Sequence, residues 1–592
     1  MAKRTFGWIQ NPSSIENLRN TVGIFVNGSR IHQELIHERI PLLIKHDLAA
    51  DPEKLEEYAR ILNYDEIVLP YDVLKGKGAG SIGRKNAKCS GLVQAVITAQ
   101  KTIAITDDEG KQVTIKKPYT DDWTADGFLR WAISIGLLEY DSQKDTCRIS
   151  EIGKRFVLAG TEEETNYILG EAYLSYPPVV RILCLLKEGG HLTKFELGSR
   201  LGFIGEAGFT SIPQNIWVAA YCDETDPEKK KKIRSDEEGS SDKYARMICS
   251  WLCGIGWVQR TAKTVKESYG GKDYECKIGQ AYVITMEGLK SLKKAYGTSK
   301  LKRVPKIVFF EMLATKTHDL QYVRLRRAYI IKYTNIKERT LEQIQSYLNT
   351  KGIDESVGCI KDDIAGLTGI GLTFVESRGK YKLVDEISHL EIAENLEVDK
   401  TDVSKIKDRV RDKLTALDHK YLTLIDLSFG GNDTDRDFEI QTIDLLTNEL
   451  NYKGKRLGDT RKPDGIVYYK NQGLIIDNKA YSEGYALPRS QADEMVRYLQ
   501  ENNERNPARN PNEWWKAFDP NVNEFHFAFI SSTFKGKFQE RLNEICISTG
   551  IRGAVINSEN LLYLADKIKS GAVTYEDSFT YFNSNDEVKE LV

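Results

Sequence analysis

Residues 461–479 read RKPDGIVYYKNQGLIIDNK: two runs of β-branched and aromatic residues, Ile466 to Tyr469 and Leu474 to Ile476, around a polar Asn471-Gln472-Gly473 break. That pattern predicts a β-hairpin. An even-numbered loop pairs Lys470 with Gly473, Ile466 with Asp477 and Asp464 with Lys479, and directly paired residues share a face. Asp464, Asp477 and Lys479 then point the same way. Two carboxylates so placed repel, and one holds its proton unless a cation lies between them. A hairpin built only for stability has no use for that cost. Hard divalent ions such as Mg²⁺ take carboxylate and water oxygens, so the pair makes a seat for one. The neighbouring lysine can steady an attacking water or the charge growing on a phosphate. The chemistry this suits is phosphodiester hydrolysis.

Pro-Asp, a dozen residues, then Asp-x-Lys is similar to the signature of the PD-(D/E)xK nuclease superfamily. Its surroundings sharpen the match: Lys455-Arg456-Leu457-Gly458, Arg461 to Gly465, Asp477 to Ser482, Gln491 to Met495 and Asn510 to Lys516. Together these resemble the cleavage domain of the FokI family of type IIS restriction endonucleases. The resemblance continues into the N-terminal half and covers nearly the whole chain.

At 592 residues the chain suggests about four domains of ~150 residues each. Its composition, 41% hydrophobic and 29% charged, is that of a soluble globular protein. No apolar run reaches the ~18 residues of a membrane span. The Met-Ala-Lys-Arg start leads to no apolar signal core, so the expected location is the cytoplasm of a prokaryote, with no membrane partner. Nine cysteines without framework spacing argue against a disulfide scaffold. Cys249 and Cys253 lack further ligands for zinc and read as helix thiols. Charge is uneven: residues 381–592 hold 28 Lys and Arg against 37 Asp and Glu, leaving 56 against 49 before them. A basic N-terminal half permits a phosphate-tracking face.

Those first 380 residues repeat one pattern. Trp131 to Leu137 (WAISIGL), Trp251 to Trp257 (WLCGIGW) and Leu367 to Leu372 (LTGIGL) each close an apolar-periodic helix with Ile-Gly, a left-handed stop. A strand-like pair follows each: Leu138 to Ile149, Val258 to Ile284 and Thr373 to Leu383. Helix, glycine stop and hairpin wing describe a winged helix-turn-helix, whose helix before the wing enters the major groove. The shorter third copy reads as a protein-contact module. The basic run Lys229 to Lys232 reads as a solvated loop. Residues 385–400 are acidic and weakly periodic, a linker.

The expected architecture is therefore multidomain, α/β and α+β: winged-helix recognition modules at 1–160 and 161–304, a winged-helix-like module at 305–384, the linker, and a nuclease domain at 401–592. In the last, helices alternate with strands around the hairpin: a charged helix at Ser404 to Leu414, helices near 438–450 and 488–502, and strands at 525–531 and 554–557. That order predicts an α/β/α sandwich with a mixed sheet.

The resemblance implies more. Asp464, Asp477 and Lys479 fall on the family's catalytic positions, with Asp464 and Asp477 holding Mg²⁺. Gln10, Asn11, Arg84 and Gln100 fall on its base-reading positions in the first module, with Trp123 beside them. Glu238 and Lys243 of the Glu-Gly-Ser-Ser-Asp-Lys run do so in the second. Gln and Asn can bond adenine, Arg and Lys guanine, and Glu a cytosine amino group. Ser235 stands where the family has a base-contacting asparagine, so the implied target is GGATG or a close relative. Asp493 and Arg497 fall on the pair by which two cleavage domains meet on double-stranded DNA. On the residues alone they are an ordinary i,i+4 helix pair. A separate protective methyltransferase is implied, since no glycine-rich cofactor loop in a βαβ setting is present. Two rivals remain: a winged-helix regulator with an inactive dimerisation domain, and a PD-(D/E)xK nuclease of other specificity.

Overall fold

Three times before residue 384 the chain makes one unit: a short strand, a long helix and a two-stranded wing. The first is Leu69–Pro70, Asp122–Ser134, Leu138–Asp141 and Thr146–Ile149. The second is His191–Thr193, Ser240–Gly254, Val258–Tyr269 and Lys272–Ile284, and the third Arg339–Thr340, Val357–Gly369, Phe374–Ser377 and Lys380–Leu383. In all three sheets the second wing strand lies between the short strand and the first wing strand. Side chains start the long helices: Asp121 and Ser356 accept from the backbone N–H of Thr124 and Cys359, and Asp242 reaches back to the Gly239 N–H at 2.8 Å. Glycine ends them, at the expected places. Gly136, Gly256 and Gly371 stand at φ +74°, +74° and +106°, backbone that side chains rarely adopt.

The computed structural model describes residues 6–78, 83, 87–106, 110–297, 302–392, 400–458 and 461–589. The first two long helices meet through Trp131 and Trp251, fully buried and stacked at 4.7 Å. One apolar core runs through all three units. Lys229 to Lys232 lie on an exposed helix, Pro227–Asp236, and not in a loop, because Asp226 caps it and Pro227 starts it. The expected linker begins as part of the third unit: Asp385 is buried against Arg303 at 2.9 Å, and Ile387–Ser388 pair with Lys306–Ile307. Residues 393–399 of that stretch lie outside the described ones. Among the described residues no single helix is long and apolar enough to cross a membrane.

The C-terminal unit contains α1 (Asp402–Lys413), α2 (Asp435–Asp444), β1 (Lys453–Arg456), β2 (Gly465–Tyr469), β3 (Gln472–Lys479), α3 (Arg489–Glu504), β4 (Glu524–Ser531), α4 (Phe538–Thr549), β5 (Gly553–Asn557) and α5 (Ser558–Lys569). The five strands lie in sequence order, β1 to β3 antiparallel and β3 to β5 parallel. Alternate residues face opposite ways. Val467, Leu474, Ile476 and Ile530 pack with α2 and α5, whereas Ile466, Ile475, Phe527 and Phe529 pack with α3 and α4. The result is the expected α/β/α sandwich. The unforeseen strand is β1, whose Lys-Gly-Lys-Arg sequence has little strand propensity. Its Gly454 lets the backbone approach β2, since a Cβ there would lie 2.2 Å from the Ile466 carbonyl oxygen.

This sandwich is docked on the recognition units. Its apolar core continues into Ile212, Ile216, Trp217, Val265 and Tyr269 of the second unit. Arg436 pairs with Glu237, and Tyr269 Oη accepts from the Arg456 N–H at 2.7 Å. The third unit, read above as a protein-contact module, adds ion pairs: Asp362 to Arg411 at 2.9 Å and Glu355 to Lys400 at 3.0 Å.

Candidate active site

The hairpin loop is two residues, Lys470 and Asn471, with Tyr469 opposite Gln472 and Ile466 opposite Ile475. The expected register is therefore corrected by one step: Lys470 does not pair with Gly473, nor Ile466 with Asp477. Lys470 turns the chain at φ +52°. The loop stays even-numbered, so the shared face survives. Asp464, one step beyond the Gly465–Ile476 pair, now faces Asp477 instead of Lys479.

The two carboxyl groups share a hydrogen bond. Asp464 Oδ2 accepts from the Asn478 N–H at 2.6 Å, and Asp477 Oδ1 accepts from Lys479 Nζ at 3.0 Å. The Leu457 N–H donates to the Asp464 carbonyl at 2.8 Å, fixing the backbone before β2. Burial raises Asp464 well above the ordinary carboxylate range, and Asp477 and Glu439 push it the same way. Asp477, 5% exposed, is also raised by burial, against the pull of Lys479. Burial opposes the charge on Lys479, yet Asp477 and Asp464 hold its pKa above the usual lysine value.

Two further groups escaped the sequence reading. Glu439 on α2 faces Asp464, Asp477 and Lys479. Its Oε2 accepts from Arg456 Nε at 3.0 Å and Nη2 at 2.8 Å. Burial raises Glu439 although Arg456 attracts its charge. The available signal was a lone glutamate between Phe438 and Ile440, both buried; Arg456 stood in the Lys455-Arg456-Leu457-Gly458 match with no role assigned to it.

The residues expected to read DNA divide into groups. Gln10, Asn11 and Trp123 line one cavity with Arg130, Tyr244 and Lys316, so the N-terminal arm, the first two long helices and the third unit meet there. Gln10 bonds Tyr244, and Trp123 is 55% exposed. Gln100 is exposed just before the Thr102–Thr106 strand. Arg84 lies outside the described residues. Lys243 is half-buried in the first turn of its helix, where its charge reaches Asp437 of α2. Glu238 does not face solvent: its side chain, 4% exposed, is ion-paired with Lys194 and lies 3.1 Å from Arg246. Ser235 is exposed on the basic helix.

Asp493 is exposed on α3, whose other side covers the hairpin with Ala492, Met495 and Leu499. The expected pair within the helix is not made. Arg497 bonds Glu494 at 2.9 Å, while Asp493 faces Arg541 of α4.

Type II restriction enzyme FokI of Planomicrobium okeanokoites is 40% identical over 98% of this chain and 99% of its own length. The chain belongs to the FokI family. Its recognition and cleavage parts are both present: profiles described as FokI recognition domain subdomains 1 and 2 match residues 4–159 and 162–300, the FokI D3 domain 313–379, and the FokI cleavage domain 400–589. Type II restriction enzyme StsI of Streptococcus sanguinis is 31% identical over 95% of this chain and 92% of its own. The solved structure of FokI matches with TM-score 0.87, and that of FokI bound to DNA with 0.89. Each is 38% identical and covers 99% of this chain and all of the other. The chain is thus a type II restriction endonuclease with the FokI architecture, type IIS.

Proposed function

We propose that this enzyme binds a short asymmetric duplex DNA site, GGATG or a close relative, and makes a Mg²⁺-dependent double-strand break at a fixed distance outside it. The supporting observation is the meeting of two buried carboxyl groups and a lysine at the mouth of the β2–β3 hairpin. The donors fit a hard divalent ion: they are carboxylate oxygens whose closeness is costly without a cation. Asp464 and Asp477 would hold it. Bound there, the ion polarises the scissile phosphate and acidifies water. Lys479, kept protonated by both acids, donates to the attacking water or to a phosphate oxygen.

For recognition we assign Gln10, Asn11, Arg84, Gln100 and Trp123 to the first module and Glu238 and Lys243 to the second. Glu238 reads a base only after leaving Lys194 and Arg246, so Lys243 carries the larger share of contact in the second module. We divide the chain at 1–160, 161–304, 305–384, 385–400 and 401–592, the start of 385–400 being packed on the third unit, and take the docked arrangement as the resting state. A double-strand break then needs a second cleavage domain, met through Asp493 and Arg497 across a two-fold axis, where each aspartate finds the partner's arginine. Asp493→Arg or Arg497→Asp alone is expected to lose double-strand cleavage, and mixing the two restores it. Full activity of either alone at low enzyme concentration refutes the pairing. A separate methyltransferase protects the host DNA.

Run-off sequencing of a plasmid digested with purified protein and Mg²⁺, beside Asp464→Ala, tests the whole reading. Ends at one constant offset from GGATG support it. Ends beside another motif keep the activity and move the specificity to Ser235. Specific binding without cutting by either protein overturns it in favour of a regulator.

A further inference from the structure

The acidic seat already contains a cation besides Lys479. Glu439 brings a third carboxylate toward Asp464 and Asp477, and both guanidinium bonds of Arg456 converge on its Oε2. The pair is largely shielded from water, with Arg456 22% and Glu439 17% exposed at the side chain. Arg456 also faces Asp464 itself. With all three carboxylates ionised, Lys479 and Arg456 leave the cluster with one net negative charge. A divalent ion added to that set overshoots neutrality unless one resident cation withdraws. Lys479 is tied to Asp477 within its own strand. Arg456 ends edge strand β1, and its backbone is held by Tyr269 at the tip of the second module's wing.

We propose that Arg456 is the seat's resident counter-cation: it occupies Glu439 in the docked enzyme and competes with the divalent ion. Resting on the nuclease reading of Asp464 and Asp477, this assigns Glu439 as the acid freed for the ion and Arg456 as a positioning residue acting through it. The wing contact links the two events, because undocking removes the Tyr269 anchor from the strand that carries Arg456.

The test is binding of Mn²⁺ to the full-length protein without DNA, followed by the loss of the free-ion paramagnetic resonance signal. Neighbours that orient metal ligands alter affinity by about 10–100-fold, and here the two partners must act in opposite directions. Arg456→Gln is expected to bind Mn²⁺ about tenfold more tightly and Glu439→Gln about tenfold more weakly. Arg456→Lys stays near the wild type. In the double variant the gain from Arg456→Gln disappears, since no Glu439 remains to be freed. Should Arg456→Gln fail to fold, Arg456→Met supplies an apolar side chain of similar length for the same titration. A merely structural ion pair weakens binding in both single variants or leaves it unchanged, and either result overturns the proposal. The Asp464→Asn control separates the two levels. If it abolishes Mn²⁺ binding while Arg456→Gln changes nothing, this inference alone fails; if it binds as the wild type does, the nuclease reading fails with it.

Discussion

Two buried clusters of charge in this molecule are built from the same residue types and behave oppositely. In the third module Asp363 is 2% exposed and accepts from Arg326 at 2.5 and 3.1 Å and from Arg327 at 2.8 Å. Burial works against its charge, yet the two arginines hold its pKa below the ordinary range. Around it, Glu355 meets Arg326, and Lys400 bridges Glu355 and Asp408. Glu355, Cys359 and Asp408 lie close enough to hold a metal, but the Lys400 ammonium already fills the cation's place. In the cleavage unit, burial and mutual repulsion drive Asp464 the other way. Burial alone therefore does not mark a site. What marks it is an acid pair left short of positive charge, and the sign of the carboxylate shift reports that shortage.

Removing a member of each cluster should separate the two. Asp464→Ala, Asp477→Ala or Lys479→Ala is expected to lower cleavage by at least about 10³-fold. Binding to the target duplex, read by gel shift, should stay at the wild-type level. Retained cutting in any of them would place the chemistry elsewhere and dissolve the contrast. Asp363→Asn is expected to spare the active-site residues and strike the fold, because it leaves buried guanidinium groups short of their partner. A loss of about 3–5 kcal/mol is expected in urea unfolding. A midpoint equal to that of the wild type would show that this cluster is not held together by its charges.

The sequence disclosed the active cluster better than the structural one, for a reason of distance along the chain. Asp464, Asp477 and Lys479 sit on one hairpin, where alternation and loop parity suffice to put them on one face. The expected register was a step out, yet the shared face survived because both loops are even-numbered. Glu439 and Arg456 reach the site through tertiary packing of α2 and β1, which no local period encodes. Asp363 finds Arg326 and Arg327 across 37 and 36 residues, for the same reason invisible beforehand. The three glycine stops were legible because a left-handed residue ends a helix wherever it stands. The ion pair that covers Glu238 was equally hidden, because Lys194 lies 44 residues earlier in the chain.

The finest test of the contrast is its dependence on pH in the absence of metal. Asp464 and Asp477 have folded pKa values raised above their unfolded ones. Folding therefore favours their protonation, and the stability they contribute is full below the ordinary carboxylate range and lost as pH rises through the raised values. Asp363 has the opposite sign. Its pKa is lowered, so its contribution is present above the unfolded pKa and lost as pH falls through the folded one. Asp464→Asn cannot ionise, and should escape the loss at neutral pH. In EDTA at pH 7 it is expected to be more stable than the wild type, seen as a higher melting temperature. The gain should shrink as pH falls toward 4, where the wild-type carboxyls are protonated too. Saturating Mg²⁺ should reverse the order at neutral pH, because the ion stabilises only the protein that still has both carboxylates to bind it. A variant no more stable than the wild type in EDTA, across the whole range, would mean that the Asp464–Asp477 contact carries no electrostatic cost, and the two clusters would then be one kind of structure after all.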